Sequence, residues 1–227
     1  MPFGASRVGL MSGRRDAIPD SEVARYIATE EDSEETSTMT DQVGNLDLSG
    51  QFQMESNGVN GEQSYQFGNQ SGDVARTTDI NFAEEPWGVV ATLNFDNWGD
   101  NDILLAGRDN TAEVRINDDN STEVALHRGG ERQAQTSFDT DLIENDCVMV
   151  LECFDTDRVR WELNGNEILD DSNAPSDLTE FYFGNRSDED ISPEFDCIEL
   201  SLVEGADSGD FNEIRDRHAD EHGITIS

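Results

Sequence analysis

From Val43 onward the hydrophobic residues fall in short alternating runs, separated by clusters of Asn, Asp and Gly. Alternation at period two puts every second side chain on one face of a strand. In PWGVVATLNF, residues 86–95, that face holds Trp87, Val89, Ala91, Leu93 and Phe95. AEVRI (112–116) sends Ala112, Val114 and Ile116 inward and Glu113 and Arg115 outward, and TEVAL (122–126) repeats the pattern with Val124 and Leu126. CVMVLECF (147–154) is apolar on both faces for most of its length, which predicts a strand at the centre of a sheet. VRWEL (159–163), TEFYFG (179–184) and CIELSLV (197–203) supply three more. Many short strands bounded by turn residues predict an all-β sandwich. Helical periodicity appears in DFNEIRDRHADEHG (210–223), with Phe211, Ile214 and His218 on one face. Asp210 with Glu213 forms a capping box there, and Gly223 is the stop.

DRVRWELNGNEILDD (157–171) predicts a hairpin, because a type I′ turn needs positive φ at two residues and Asn164-Gly165 supplies them. In that register Leu163 faces Asn166, Glu162 faces Glu167, and Trp161 faces Ile168 with both side chains toward the core. The Glu162–Glu167 pair is like-charged and destabilising unless salt screens it.

Residues 1–20 lack periodic apolar positions and read as an extended arm, and the acidic run EEDSEETSTMTD (30–41) reads as a loop. The expected organisation is an N-terminal arm (1–36) for docking or oligomerisation, a sandwich (37–207) and a C-terminal helix packed on it (208–227).

Charge changes the picture next. The formal net charge is −37, all fourteen basic residues are arginine, and lysine is absent. Low hydrophobicity with such a charge often means disorder. Here the apolar residues are organised in alternating runs, so a folded protein adapted to very high salt is the better reading. At 1 M salt the screening length is about 3 Å, and the carboxylates then act as a solvating coat. With no basic stripe, the chain is no candidate partner for nucleic acid or for an anionic membrane. It has no run of eighteen apolar residues, and its first twenty show no apolar stretch followed by a cleavage site. The expectation is assembly in the cytoplasm of the producing cell. Cys147 and Cys153 lie six apart on one strand, roughly 20 Å, too far to bond; all three cysteines read as small buried hydrophobes, with a bridge from Cys197 left open.

The order of motifs around the hairpin resembles the laminin-G-like, concanavalin A-like jelly rolls. TMTDQVGNLDLSG (38–50) is similar to their D-x-x-G-N-x-D opening, SNGVNGEQSYQFGNQSGDV (56–74) to their G-V-x-G stretch and aromatic strand, and WGVVATLNF (87–95) to their first inner strand. FYFGNRSDEDISPEFDCIELSLVEGA (181–206) resembles their closing strand pair, with Asp196-Cys197 in place of the usual glycine region. The final EIRDRHADEHGI looks like the short helix that closes such domains in structural proteins of tailed viruses, and MPFGASRVGL resembles openings of virion proteins. Combined with the acidity, this resemblance implies a non-enzymatic virion component of a halophilic tailed virus: an exterior head decoration, turret, fibre or tail appendage. Its partners would be copies of itself (a trimer or pentamer), other virion proteins and host-surface glycans. A cellular glycan-binding module of a halophilic archaeon is the alternative.

Two segments carry candidate chemistry. FDNWGDND (95–102) gathers Asp96, Asp100 and Asp102 around Trp98 in a loop. Such oxygens suit calcium, and a tryptophan face suits a sugar ring, so Trp98, Asp100 and Asp102 are the candidate ligand-binding residues; no other cofactor fingerprint is visible. EFDCIE (194–199) has the shape E-x-D-x-x-E, similar to the signature of jelly-roll β-glucanases, with Glu194 and Glu199 as the paired carboxylates of a glycoside hydrolase. A position so near the last strand pair, in a chain with 51 acidic residues, favours chance. His218 and His222, at i and i+4, lack a third metal ligand nearby in sequence and read as structural.

Overall fold

The computed structural model describes residues 19–29, 37–68, 73–80, 82, 86–99, 102–107, 113–117, 122–128, 131–154, 158–172, 180–185 and 193–227. Its strands are β1 (Glu22–Ile27), β2 (Thr38–Met39), β3 (Leu48–Gln51), β4 (Gln53–Glu55), β5 (Ser64–Phe67), β6 (Val74–Thr77), β7 (Trp87–Asn97), β8 (Asp102–Gly107), β9 (Glu113–Asn117), β10 (Glu123–Arg128), β11 (Glu131–Ser137), β12 (Cys147–Phe154), β13 (Arg158–Leu163), β14 (Asn166–Asp171), β15 (Phe181–Phe183) and β16 (Glu194–Glu204), followed by helix α1 (Ser208–His222). They form two antiparallel sheets, as expected of a jelly-roll sandwich. The first runs β14-β13-β12-β7-β16-β5-β4 and the second β11-β10-β9-β8-β15-β6-β3-β2. In β16 the first half pairs with β5 and the second half, Glu199–Val203, pairs with β1.

The expected inward faces hold among the described residues, outside which Ala112 lies; Glu113, expected to face outward to solvent, is instead buried and paired with Arg115. Trp87, Val89, Ala91, Leu93 and Phe95 of β7 all join the main core, with Val114, Ile116, Val124 and Leu126 from the second sheet. β12 lies between β13 and β7, and both its faces are buried. Cys147, Met149, Leu151 and Cys153 enter the core, while Val148 and Val150 lie under α1 with Phe211, Ile214 and Ala219. The three cysteines are buried and free. Gly88 makes the helix contact close: a Cβ there would come 2.4 Å from the Phe211 ring.

Four further sequence expectations change. Residues 1–18 of the expected arm lie outside the described residues, while residues 22–27, expected within it, form β1, and Ala24 and Tyr26 are core residues. Glu22 occupies the buried end of that strand, so its alternation does not read as apolar. Of the loop expected at 30–41, residues 30–36 lie outside the described residues, and residues 38–39 form the two-residue β2, held against β3. Helix α1 starts earlier than the capping box placed it: the N-cap is Asp207, whose side chain accepts from the N–H groups of Gly209 (2.7 Å) and Asp210 (3.2 Å). Gly223 does end it in the left-handed conformation. In the hairpin Glu162 does face Glu167, but a bulge then shifts the register, and Trp161 pairs with Leu169 rather than Ile168.

Candidate functional site

The outer face of the first sheet carries an ionic layer beneath α1. Glu22, Glu152, Glu162 and Glu199 are all essentially buried there. A lone buried carboxylate is costly, and four of the fourteen arginines are placed against these groups. Arg217 grips Glu22 through two bonds (2.6 and 2.7 Å). Arg25 of β1 reaches Glu199 at 2.6 Å and also pairs with Glu221. Arg160 pairs with Glu162 and lies 3.3 Å from Glu152 and 3.6 Å from Glu167, while Arg215 reaches Glu162 at 2.7 Å. The Glu162–Glu167 repulsion is therefore offset by an arginine between the two, not left to bulk salt.

His218 and His222 complete the layer. His218 is fully buried between the Thr92 and Ser201 hydroxyls, each 2.9 Å from a ring nitrogen. Burial pushes its pKa down to about 3, so it is neutral at pH 7. Burial pushes the Glu199 carboxyl up, but the charge that His218 takes on in acid, the hydrogen bond with His222 (2.8 Å), Arg25 and Arg217 outweigh it and hold the carboxyl far below the usual range. Among the described residues, Glu199, Glu221 and His222 are the one group of metal-ligand type whose donor atoms converge. The Arg25 guanidinium already bridges the two carboxylates, a poor setting for a cation.

The E-x-D-x-x-E stretch lies in β16, where a bulge between Cys197 and Glu199 places Asp196 and Glu199 on the same outer face. Glu199 is enclosed by its ion pairs, so it and Glu194 present no exposed carboxylate pair. Asp196 is 4% exposed, and burial, then Asp96 and Glu55, raise its pKa to about 7.

The loop chosen from sequence has a different character. Trp98 is half-buried and packs edge-on against Phe95, with ring centroids 6.5 Å apart, at the margin of the core. Asp102 is buried, and its carboxylate accepts the Gly99 N–H. Asp100 lies outside the described residues. The D-x-x-G-N-x-D motif is likewise architectural. Burial would raise the Asp41 pKa, but its carboxylate accepts from the N–H groups of Leu46, Val43, Arg25 and Gly44 and is held below the usual range.

Sequence reasoning missed an open pocket of about 450 Å³ at the C-terminal end of α1. Its walls come from Asn60 in the turn before β5, Asn94 of β7, residues 141, 142 and 144–146 ahead of β12, Asn164 of the hairpin turn, and Gly223, Ile224 and Thr225. Asp146 ties three walls together, accepting from the Asn60 N–H (2.9 Å) and the Asn94 amide (2.6 Å). Asn60 also donates to the His222 carbonyl at 2.8 Å. Asn164 accepts the Val148 N–H at 2.8 Å through its side chain and the Ser227 N–H at 2.9 Å through its carbonyl. The adjoining Gly165 has φ +81°, and a Cβ on it would come 2.7 Å from the Ser227 carbonyl oxygen. The Asn-Gly turn thus fixes the 224–227 segment as well as the hairpin register. No single stretch of sequence signals this pocket, because its residues come from five separate segments.

No family model matches the sequence, and no curated protein sequence does. Solved structures do share its architecture. The binding domain of botulinum neurotoxin DC, solved with rat synaptotagmin II, superposes with a TM-score of 0.64 at 13% identity, over 89% of this chain and 52% of that one. A Trypanosoma rangeli sialidase in complex with sialic acid gives 0.64 at 15% identity, over 90% of this chain and 34% of that one. An arabinofuranosidase complexed with arabinofuranosyl-α-1,2-xylobiose gives 0.63 at 10% identity, over 85% and 52%. The fold is a jelly-roll sandwich. At these identities the likeness is one of fold alone, and the chain spans between a third and about half the length of these proteins. They include both enzymes and a binding domain.

Proposed function

We propose that the protein is a non-enzymatic carbohydrate-recognition jelly roll that works at high salt. The observation that carries this is the open pocket lined by four asparagines, three carboxylates and two aliphatic side chains, a composition suited to hydroxyl-bearing rings. The arabinofuranosyl-α-1,2-xylobiose and sialic acid in complex with the similarly folded arabinofuranosidase and sialidase support sugars as the broad class of ligand. The burial of Glu199 in ion pairs weighs against a hydrolase built on Glu194 and Glu199.

The finer reading is an exterior structural component of a halophilic tailed virus: head decoration, turret, fibre or tail appendage. It would be assembled in the host cytoplasm as a trimer or pentamer among other virion proteins and turned toward host-surface glycans. Its support is the motif order, the virion-like opening residues and the net charge of −37. A glycan array probed in 3 M KCl tests the recognition role, and binding to no glycan ends it. Mass spectrometry of purified virions tests the particle role, which fails if the chain is missing.

A further inference from the structure

The pocket carries three carboxylates, and its side-chain donors are neutral amides and a hydroxyl. Asn94 gives an amide hydrogen to Asp146, Asn60 gives one to the His222 carbonyl, and Asn145 gives one to the Asp141 carbonyl at 3.2 Å. Each partner atom can only accept, so chemistry fixes which end of each amide is the nitrogen. The amide oxygens of these three residues and their second amide hydrogens are not used in those bonds, and they lie beside the carboxylates of Asp141, Glu144 and Asp146. No arginine or histidine is among the described residues that line the pocket. The carboxylates do not converge on one point as a cation cage would, since the described residues contain one convergent group and it lies elsewhere. Leu142 and Ile224 add apolar surface.

We infer that this pocket selects an uncharged sugar, held through its hydroxyl hydrogens, and rejects sugars that carry a carboxylate. The inference rests on the carbohydrate-recognition reading and narrows it. At molar salt, repulsion beyond about 3 Å is screened, so long-range charge does not discriminate. Discrimination comes from contact: a ligand carboxylate would lose water and meet three carboxylates, with only neutral amide and hydroxyl donors and no charged donor to replace it.

The test measures binding of the full chain in 3 M KCl to two matched sets of glycans, neutral and sialic-acid-terminated. The expected result is preference for the neutral set by about tenfold or more. Two variants at exposed positions on the pocket wall locate the effect. Asn145→Trp fills the pocket and should abolish neutral-glycan binding. Glu144→Arg supplies a charged donor and should raise sialylated-glycan binding by about tenfold. Circular dichroism verifies that both variants fold. Equal or stronger binding of the sialylated set by the wild type overturns the inference while the recognition role stands. Unchanged neutral binding in a folded Asn145→Trp protein also overturns it, by moving the site elsewhere. Binding to neither set removes the recognition role and the inference together.

Discussion

Glu199 is the residue on which the ionic layer turns. Removing its charge by Glu199→Gln leaves Arg25 and Arg217 facing a neutral amide, a loss of about 3–5 kcal/mol by the usual cost of breaking a buried pair. A urea titration of both proteins at pH 7 in molar salt checks this, and an unchanged midpoint would show the layer to be energetically idle. Acid should weaken the wild type through two groups. The depressed Glu199 carboxyl contributes stability above the ordinary carboxylate range and loses it as pH falls. Neutral His218 acts in the same direction between its ordinary value of 6.5 and about 3, where the unfolded chain takes up a proton that the fold refuses. Asp196 has the opposite sign. Its pKa is raised to about 7, so the fold holds a proton that the unfolded chain has released, and its cost grows as pH rises from 3.8 to about 7. Asp196→Asn should therefore raise the unfolding midpoint at pH 8 and leave it nearly unchanged at pH 4. Trp98→Ala should cost about 1–2 kcal/mol through lost packing on Phe95 while leaving neutral-glycan binding intact, and lost binding in a folded variant would return the site to its loop.

At the scale of elements, the hairpin turn has two roles that share a single glycine. Gly165→Ala places a β-carbon both at φ +81° and against the Ser227 carbonyl. The cost in the left-handed region alone is about 1–2 kcal/mol. Amide exchange should quicken at Ser227, whose N–H bonds to Asn164, before it quickens in β13. Uniform exchange across the hairpin would mean that the turn and the 224–227 segment open as one unit. Helix α1 is fastened by an apolar stripe, Phe211, Ile214 and Ala219, and by Arg215, Arg217, His218 and His222 on the buried acids. Its stripe is narrow in the sequence because half of its buried face is ionic.

For the whole molecule, 51 acidic residues against fourteen arginines set the salt dependence. With 51 carboxylates and fourteen arginines, four of them committed to the buried acids, most exposed carboxylates have no arginine to neutralise them. Dilution from molar to millimolar salt lengthens the screening distance from about 3 Å to 10 Å or more. Circular dichroism should then show loss of β structure. The buried pairs are screened far less, so helix and sheets should melt in one transition; an early loss of the helical signal would contradict that.

Period two in 86–95, 114–116 and 159–163 was enough to assign inward faces, because a buried sheet face tolerates few polar side chains. The Asn-Gly pair was enough for the hairpin, because few other residues take positive φ at low cost. Gly223 marked the helix stop for the same reason. Tertiary structure alone decided the rest. β1 was hidden because the glutamate at its buried end is tolerable only beside Arg217, 195 residues away in sequence. The partner of Trp161 depended on a bulge. The pocket exists only where five segments meet, and no local pattern encodes a meeting of distant segments. Alternation and turn chemistry are local and were legible in the sequence; charge neutralisation and cavity shape are properties of contact, and folding brought those contacts together.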